Sequence, residues 1–187
     1  ITKTWSVAEN GLLNDSETFD FALKYTGSDA IGTNAPSTPT FNGSEMTQNN
    51  ATKTAQITSA WKTKAAGGAS SSETLSYDEL FDGIRFTDPG LYHFMLRENP
   101  GHNPNIAYSD QSYLLDVQVV WETEDNGSQT GNLKVSGIAT TSVATNQKSE
   151  GAGFENTEAD AESLKITKTV SGSAANKNDE FTFTVIV

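Results

Sequence analysis

The chain has 187 residues, 35% of them hydrophobic, no cysteine, and a formal net charge of −12. The missing thiols exclude disulfides, Cys-ligated zinc, iron–sulfur clusters and thiol nucleophiles. The acidic field repels phosphate backbones and argues against a nucleic-acid partner.

Thr, Ser and Asn number 24, 19 and 15, residues that favour strands and turns. Three Trp, five Tyr and nine Phe supply aromatic mass for a core. Period-2 alternation dominates, so the reading is an all-β protein. In the opening ITKTWSV, Ile1, Lys3, Trp5 and Val7 share one strand face. After the turn signals of ENGLLNDSE, Phe19, Phe21, Leu23 and Tyr25 repeat the pattern, with Asp20 and Lys24 turned outward. From Thr26 to about Thr74 the pattern weakens into Gly/Ser/Thr/Pro-rich stretches around ATKTAQITSAW, which suits one or two strands. This segment reads as a long decorated insertion with too little apolar surface for a core of its own.

SYDELF then predicts a short helical turn capped by Ser76, with Glu79 three residues on. Asp88-Pro89-Gly90 predicts a turn, after which Tyr92, Phe94, Leu96 and Glu98 alternate on one face. YLLDVQVVWETE and GNLKVSGIAT read as two strands joined by a DNGSQTG hairpin loop, followed by GAGFENT and an acidic EADAE. Near the end the opening repeats. Ile166-Thr167-Lys168-Thr169 copies Ile1-Thr2-Lys3-Thr4, and Phe181, Phe183, Val185 and Val187 copy the second strand. The expected organisation is one complete module over 1–159, then a linker and the first two strands of a second module over 160–187. Two lone strands are unstable in water, so that tail is expected to pack on something, such as a neighbouring molecule by strand addition.

Two residues are out of place for an ordinary sandwich. Lys3 shares its face with Ile1, Trp5 and Val7, and Glu98 shares its face with Tyr92, Phe94 and Leu96. A charge on a core face is costly unless paired or neutralised. Asn156 follows Phe154 by two and points inward with it. Burial favours the neutral forms of amines and carboxylic acids. A neutral amine is a nucleophile, a carboxyl can shuttle protons, and an Asn carboxamide is an electrophile. The product of the three would be a Lys–Asn isopeptide bond with loss of ammonia, driven by proximity in a dry core.

The order of these pieces resembles the Gram-positive, streptococcal-type pilin isopeptide-linkage domain, related in logic to collagen-adhesin B-type domains. The resemblance rests on ITKT, the DPGLYHFMLRE block, IAYSDQSYLLDVQVVW and the closing FENT. It covers residues 1–157, and again 164–187 for the opening strands. It implies an Ig-like Greek-key β-sandwich in which Lys3 bonds to Asn156 and Glu98 catalyses the step. It also implies that Lys168 is the crosslinking lysine of the next module, with partners outside the chain. The chain departs from the pattern in its 26–74 insertion and in lacking a Tyr soon after FENT. On this reading the protein is a structural or adhesive module of a bacterial surface protein or pilus. It would be extracellular and wall-attached or pilus-borne, with neighbouring modules or subunits as partners. It would be no enzyme beyond one self-crosslinking turnover.

An alternative is an adhesin tip that binds host carbohydrate or protein through the 26–74 insertion, with Trp61 and Tyr77 as stacking platforms. A glycosidase would need paired carboxylates in a cleft; Glu79, Asp82 and Asp88 sit around a turn and carry no motif. His93 faces away from the core positions and His102 stands alone, so no His-based metal site or triad is expected. DQSYLLD and ETEDNGS lack EF-hand spacing, no phosphate-binding Gly motif occurs, and no cofactor or metal is expected. Asn14, Asn42, Asn50 and Asn126 head N-x-[ST] sequons. No segment reaches the roughly 20 apolar residues of a membrane span. A secretory leader, an LPxTG sorting signal and a Tyr-Pro-Lys pilin motif are expected, if anywhere, outside this sequence.

Overall fold

β-branched and aromatic residues at alternate positions make strands that bury one face each. A computed structural model describes residues 1–6, 18–47, 52–57 and 70–158. In chain order the elements are β1 (Thr2–Ser6), β2 (Phe19–Asp29), β3 (Thr40–Phe41), β4 (Ser44–Glu45), β5 (Thr52–Ile57), β6 (Ser70–Thr74), α1 (Tyr77–Phe81), β7 (Ile84–Arg85), β8 (Gly90–Asn99), β9 (Ile106–Ala107), β10 (Ser112–Thr123), β11 (Gln129–Ser142), β12 (Lys148–Ser149) and β13 (Gly153–Glu158). Val7, Trp61, Lys168 and the proposed second-module strands lie outside the described residues.

Among the described residues a four-stranded sheet, ordered β6-β1-β13-β9, faces a six-stranded sheet ordered β12-β11-β10-β8-β2-β5. The fold is the expected all-β, Ig-like sandwich. Its core joins inward residues of both sheets, among them Trp5 and Phe154 from one and Phe21, Leu23, Phe94, Leu96, Leu115 and Val117 from the other. Burying each such side chain contributes about 1.5–3 kcal/mol. The rings meet edge-on or tilted: Phe21 and Phe154 have centroids 5.1 Å apart, and Phe81 and Phe94 5.2 Å.

The first and last described strands are parallel neighbours. Lys3 is registered on Phe154 and Trp5 on Asn156. Ala152 accepts from the Thr2 N–H at 2.8 Å, and the Ile1 ammonium donates to the Leu75 carbonyl at 2.8 Å. β1 is thereby held between two later segments.

The 26–74 segment does more than decorate. β5 pairs with β2 along the edge of the larger sheet, and β6 pairs with β1 along the edge of the smaller one. β2 itself runs on to Asp29 through a bulge between Tyr25 and Gly27. β3 and β4 form a tight hairpin in which Asn42 and Gly43 take φ of 51° and 81°, the primed turn that matches strand twist. The helical turn has the capping box read from SYDELF: Glu79 N–H donates to Ser76 Oγ at 3.2 Å, and Ser76 N–H donates to Glu79 Oε2 at 2.9 Å.

Candidate functional site

β1 and β13 lie side by side with their odd and even faces in phase, so Lys3, Trp5, Phe154 and Asn156 all point between the sheets. β8 supplies Tyr92, Phe94, Leu96 and Glu98 from the opposite sheet. The polar residues of this inward set meet. Lys3 and Asn156 are 0% exposed and Glu98 4%. Lys3 Nζ donates to Glu98 Oε2 at 3.0 Å, and Asn156 Nδ2 donates to Glu98 Oε1 at 2.8 Å. One carboxylate thus bridges the amine and the carboxamide. All three residues singled out in the sequence come together.

The walls are apolar. Lys3 Nζ lies 4.5 Å from the Phe19 ring centroid, and Phe19 packs edge-on against Trp5 at 5.6 Å. Phe21 is registered beside Glu98 on the neighbouring strand. Burial pushes the Lys3 amine down to about 8, against the opposing pull of Glu98. An ammonium in this place gives up its proton far more readily than one in water. A buried ion pair of this kind is weak evidence of stability by itself; its chemistry is the more informative property.

A fourth contact was invisible in the sequence. The Ser109 main-chain N–H donates to Asn156 Oδ1 at 2.7 Å. It sits where the chain crosses from β9, in the smaller sheet, to β10, in the larger one.

The sequence profile of the FctA family, described as a Spy0128-like isopeptide containing domain, matches residues 2–159. The chain belongs to the FctA family. The family resemblance read from ITKT, DPGLYHFMLRE and FENT therefore holds. Over 129 residues the chain is 26% identical to a pilin of Streptococcus pyogenes serotype M1, an overlap of 68% of this chain and 34% of that protein. It also resembles the crystal structure of the S. pyogenes major pilin, with a TM-score of 0.50 at 18% identity, and an Asn-to-Ala variant of that pilin, with 0.53 at 17%. Each covers 84% of this chain and 49% of the pilin chain. At that identity the likeness is one of fold. The chain spans about a third of the curated pilin's length and about half that of the solved pilins.

Elsewhere in this FctA domain the carboxylates near the helical turn are engaged in turn structure. Glu79 caps α1, and Asp88 Oδ2 accepts from the Ser37 N–H at 3.0 Å. Tyr77 does not stand free as a stacking platform. Its hydroxyl is 2.6 Å from Thr140 Oγ1 and its ring packs against the core.

On the outer face of the larger sheet, His93 bridges two strands. Nδ1 is 2.7 Å from Asp116 Oδ1 on β10, and Nε2 is 3.2 Å from Asp29 Oδ2 on β2. Partial burial draws the imidazole down, but hydrogen bonds and charges from Asp116 and Asp29 together outweigh it and leave it raised. A raised folded-state value means the stabilisation is complete below the ordinary His range and is lost as pH rises through the folded value. The denaturation midpoint should therefore fall between about pH 5 and about pH 8. In His93→Gln that part of the pH dependence should vanish; an unchanged profile would rule out this clamp.

Proposed function

We propose that this FctA domain is a structural module of a bacterial surface fibre or pilus, tied internally by an isopeptide bond between Lys3 and Asn156. The observation that carries the reading is the buried Glu98 carboxylate, within hydrogen-bond distance of both the amine and the carboxamide. Glu98 takes a proton from the Lys3 ammonium, and the charged pair becomes a neutral one. The Nζ lone pair then attacks Asn156 Cγ. As the new C–N bond forms, Nζ sheds a proton and Nδ2 gains one through Glu98. The Cγ–Nδ2 bond breaks, ammonia leaves, and Glu98 is left as a neutral carboxyl beside the new amide. No charge remains buried on the product.

Burial supplies the rate. The two reacting groups are held on adjacent strands in a dry site, so the step is effectively unimolecular. It runs once and regenerates nothing, so the domain is not an enzyme in the turnover sense. The family's structural character and its pilin relative support this role. Residues 1–159 would be one module, and 160–187 would open the next with Lys168 as its amine. Such a module works outside the cell, joined to neighbouring modules or subunits. A host-binding role for the 26–74 segment draws no support from Tyr77, which packs against the core.

Intact mass spectrometry tests the reading. The folded protein should weigh one ammonia less than its sequence requires, and tandem fragmentation should find Lys3 and Asn156 in one branched peptide. A wild-type chain at full sequence mass would overturn it.

A further inference from the structure

We infer that the main-chain N–H of Ser109 is the oxyanion donor of the crosslinking step: it fixes which way the Asn156 carboxamide faces and bears the charge that develops on its oxygen. This rests on the crosslinking reading above.

The bond from Ser109 N–H to Asn156 Oδ1, at 2.7 Å, is shorter than the usual 2.9–3.0 Å or so for N–H···O. A backbone N–H can only donate, so it must face the carboxamide oxygen. That leaves the carboxamide nitrogen facing Glu98, at 2.8 Å. The amide is held at both ends and cannot flip. Its leaving nitrogen therefore lies on the one group able to protonate it. Without Ser109 a half-turn of the carboxamide would put the oxygen on Glu98 and the leaving group away from any proton.

The segment carrying Ser109 is itself anchored at both ends. On one side Ala107 and Ile106 pair with Thr157 and Glu158, directly after Asn156. On the other, Ser112 is registered on Arg97, directly before Glu98. The donor is therefore tied to the same two strands as the groups it serves. Inside the segment Gln111 N–H donates to Ser109 Oγ at 3.4 Å. The Ser109 side chain is thus turned to its own turn, and only the main chain serves Asn156.

The electron count puts the transient charge where this donor is aimed. When Nζ bonds to Cγ, the carbonyl π pair moves onto Oδ1. It returns when the Cγ–Nδ2 bond breaks and ammonia leaves with the proton from Glu98. In a site this buried, water cannot solvate the intermediate oxyanion. A fixed dipole already aimed at the oxygen does so with no reorganisation.

The test replaces Ser109 with its α-hydroxy acid by semisynthesis, which deletes the N–H and keeps the side chain. Chains are refolded from denaturant, and ammonia loss is followed by intact mass against time, with circular dichroism recording the folded fraction. Refolded wild type sets the reference rate. The ester chain should crosslink more slowly by about 10²–10³-fold, the usual effect of losing one oxyanion donor. Ester chains that fold and crosslink at the wild-type rate overturn this inference alone. A wild-type chain that never loses ammonia overturns the crosslinking reading as well. Should the ester chain fail to fold, Lys3→Met provides a second measurement, since it retains Glu98 and Asn156 but has no amine. A through-hydrogen-bond coupling between the Ser109 nitrogen and the Asn156 side-chain carbonyl carbon is expected there, and its absence overturns the inference.

Discussion

Glu98→Ala is expected to leave the protein at its full sequence mass, and also to make it the least stable of the site variants. The two effects have separate causes. Glu98 is the acceptor for both Lys3 Nζ and Asn156 Nδ2. Without it nothing in the pocket can take the ammonium proton or return one to the leaving nitrogen. Glu98→Gln should also stay at full mass, because a carboxamide fills the space but cannot carry the proton. The stability loss comes from Lys3, which is wholly buried and would lose its hydrogen-bonded counter-charge, keeping only the weaker attraction of Glu155. Removing one partner of a buried pair costs about 3–5 kcal/mol. The fair reference is Asn156→Ala, which is also uncrosslinked but keeps the pair. Denaturant titration of the two variants side by side measures the difference.

The same variants should respond to alkali. Burial already holds the Lys3 amine at about 8, below its value in an unfolded chain. Between those two values the unfolded state binds the extra proton, so stability rises with pH. Glu98→Ala should gain over a wider range, since the carboxylate that favours the charged amine is gone. A Glu98→Ala chain that loses ammonia at the wild-type rate would remove Glu98 from the chemistry.

Lys3 and Glu98 were legible in the sequence because strand periodicity is strict. A charged residue in phase with Trp5, or with Tyr92, Phe94 and Leu96, must be buried if its neighbours are. Asn156 was legible for the same reason through Phe154. Ser109 was not, because its contribution comes from a main-chain N–H that every non-proline residue carries. Only the path of the chain between two sheets aims it. β5 and β6 blurred into an apparent insertion for a different reason. Both are edge strands, and the sequences TKTAQI and SSSET carry almost no large apolar residues to mark an alternation. The bridge from Asp29 through His93 to Asp116 was half legible. Alternation turned His93 outward, but the carboxylates that flank it belong to strands 64 and 23 residues away.

Asn156→Ala, like Glu98→Ala, should change the mechanical behaviour of the module. β1 and β13 are adjacent and parallel, so tension applied near the two ends of the module shears one strand along the other. With Lys3 and Asn156 joined as proposed, the load would pass from the Lys3 backbone through its side chain into Asn156. Everything between the two residues is bypassed. Force spectroscopy on wild type should therefore record no unfolding length from this module. Without the bond, roughly 150 residues become extensible at about 3.4 Å each, a gain in contour length on the order of 500 Å. The proposed bond would also remove the freedom of that long loop in the unfolded chain, which for a disulfide closing a loop of comparable size is worth about 5 kcal/mol. Asn156→Ala should lose that stabilisation too, together with the bond that the partly buried Ser109 N–H makes to Asn156 Oδ1. Wild type that extends as far as the variant under load would mean the termini are not tied, whatever the geometry of the three side chains.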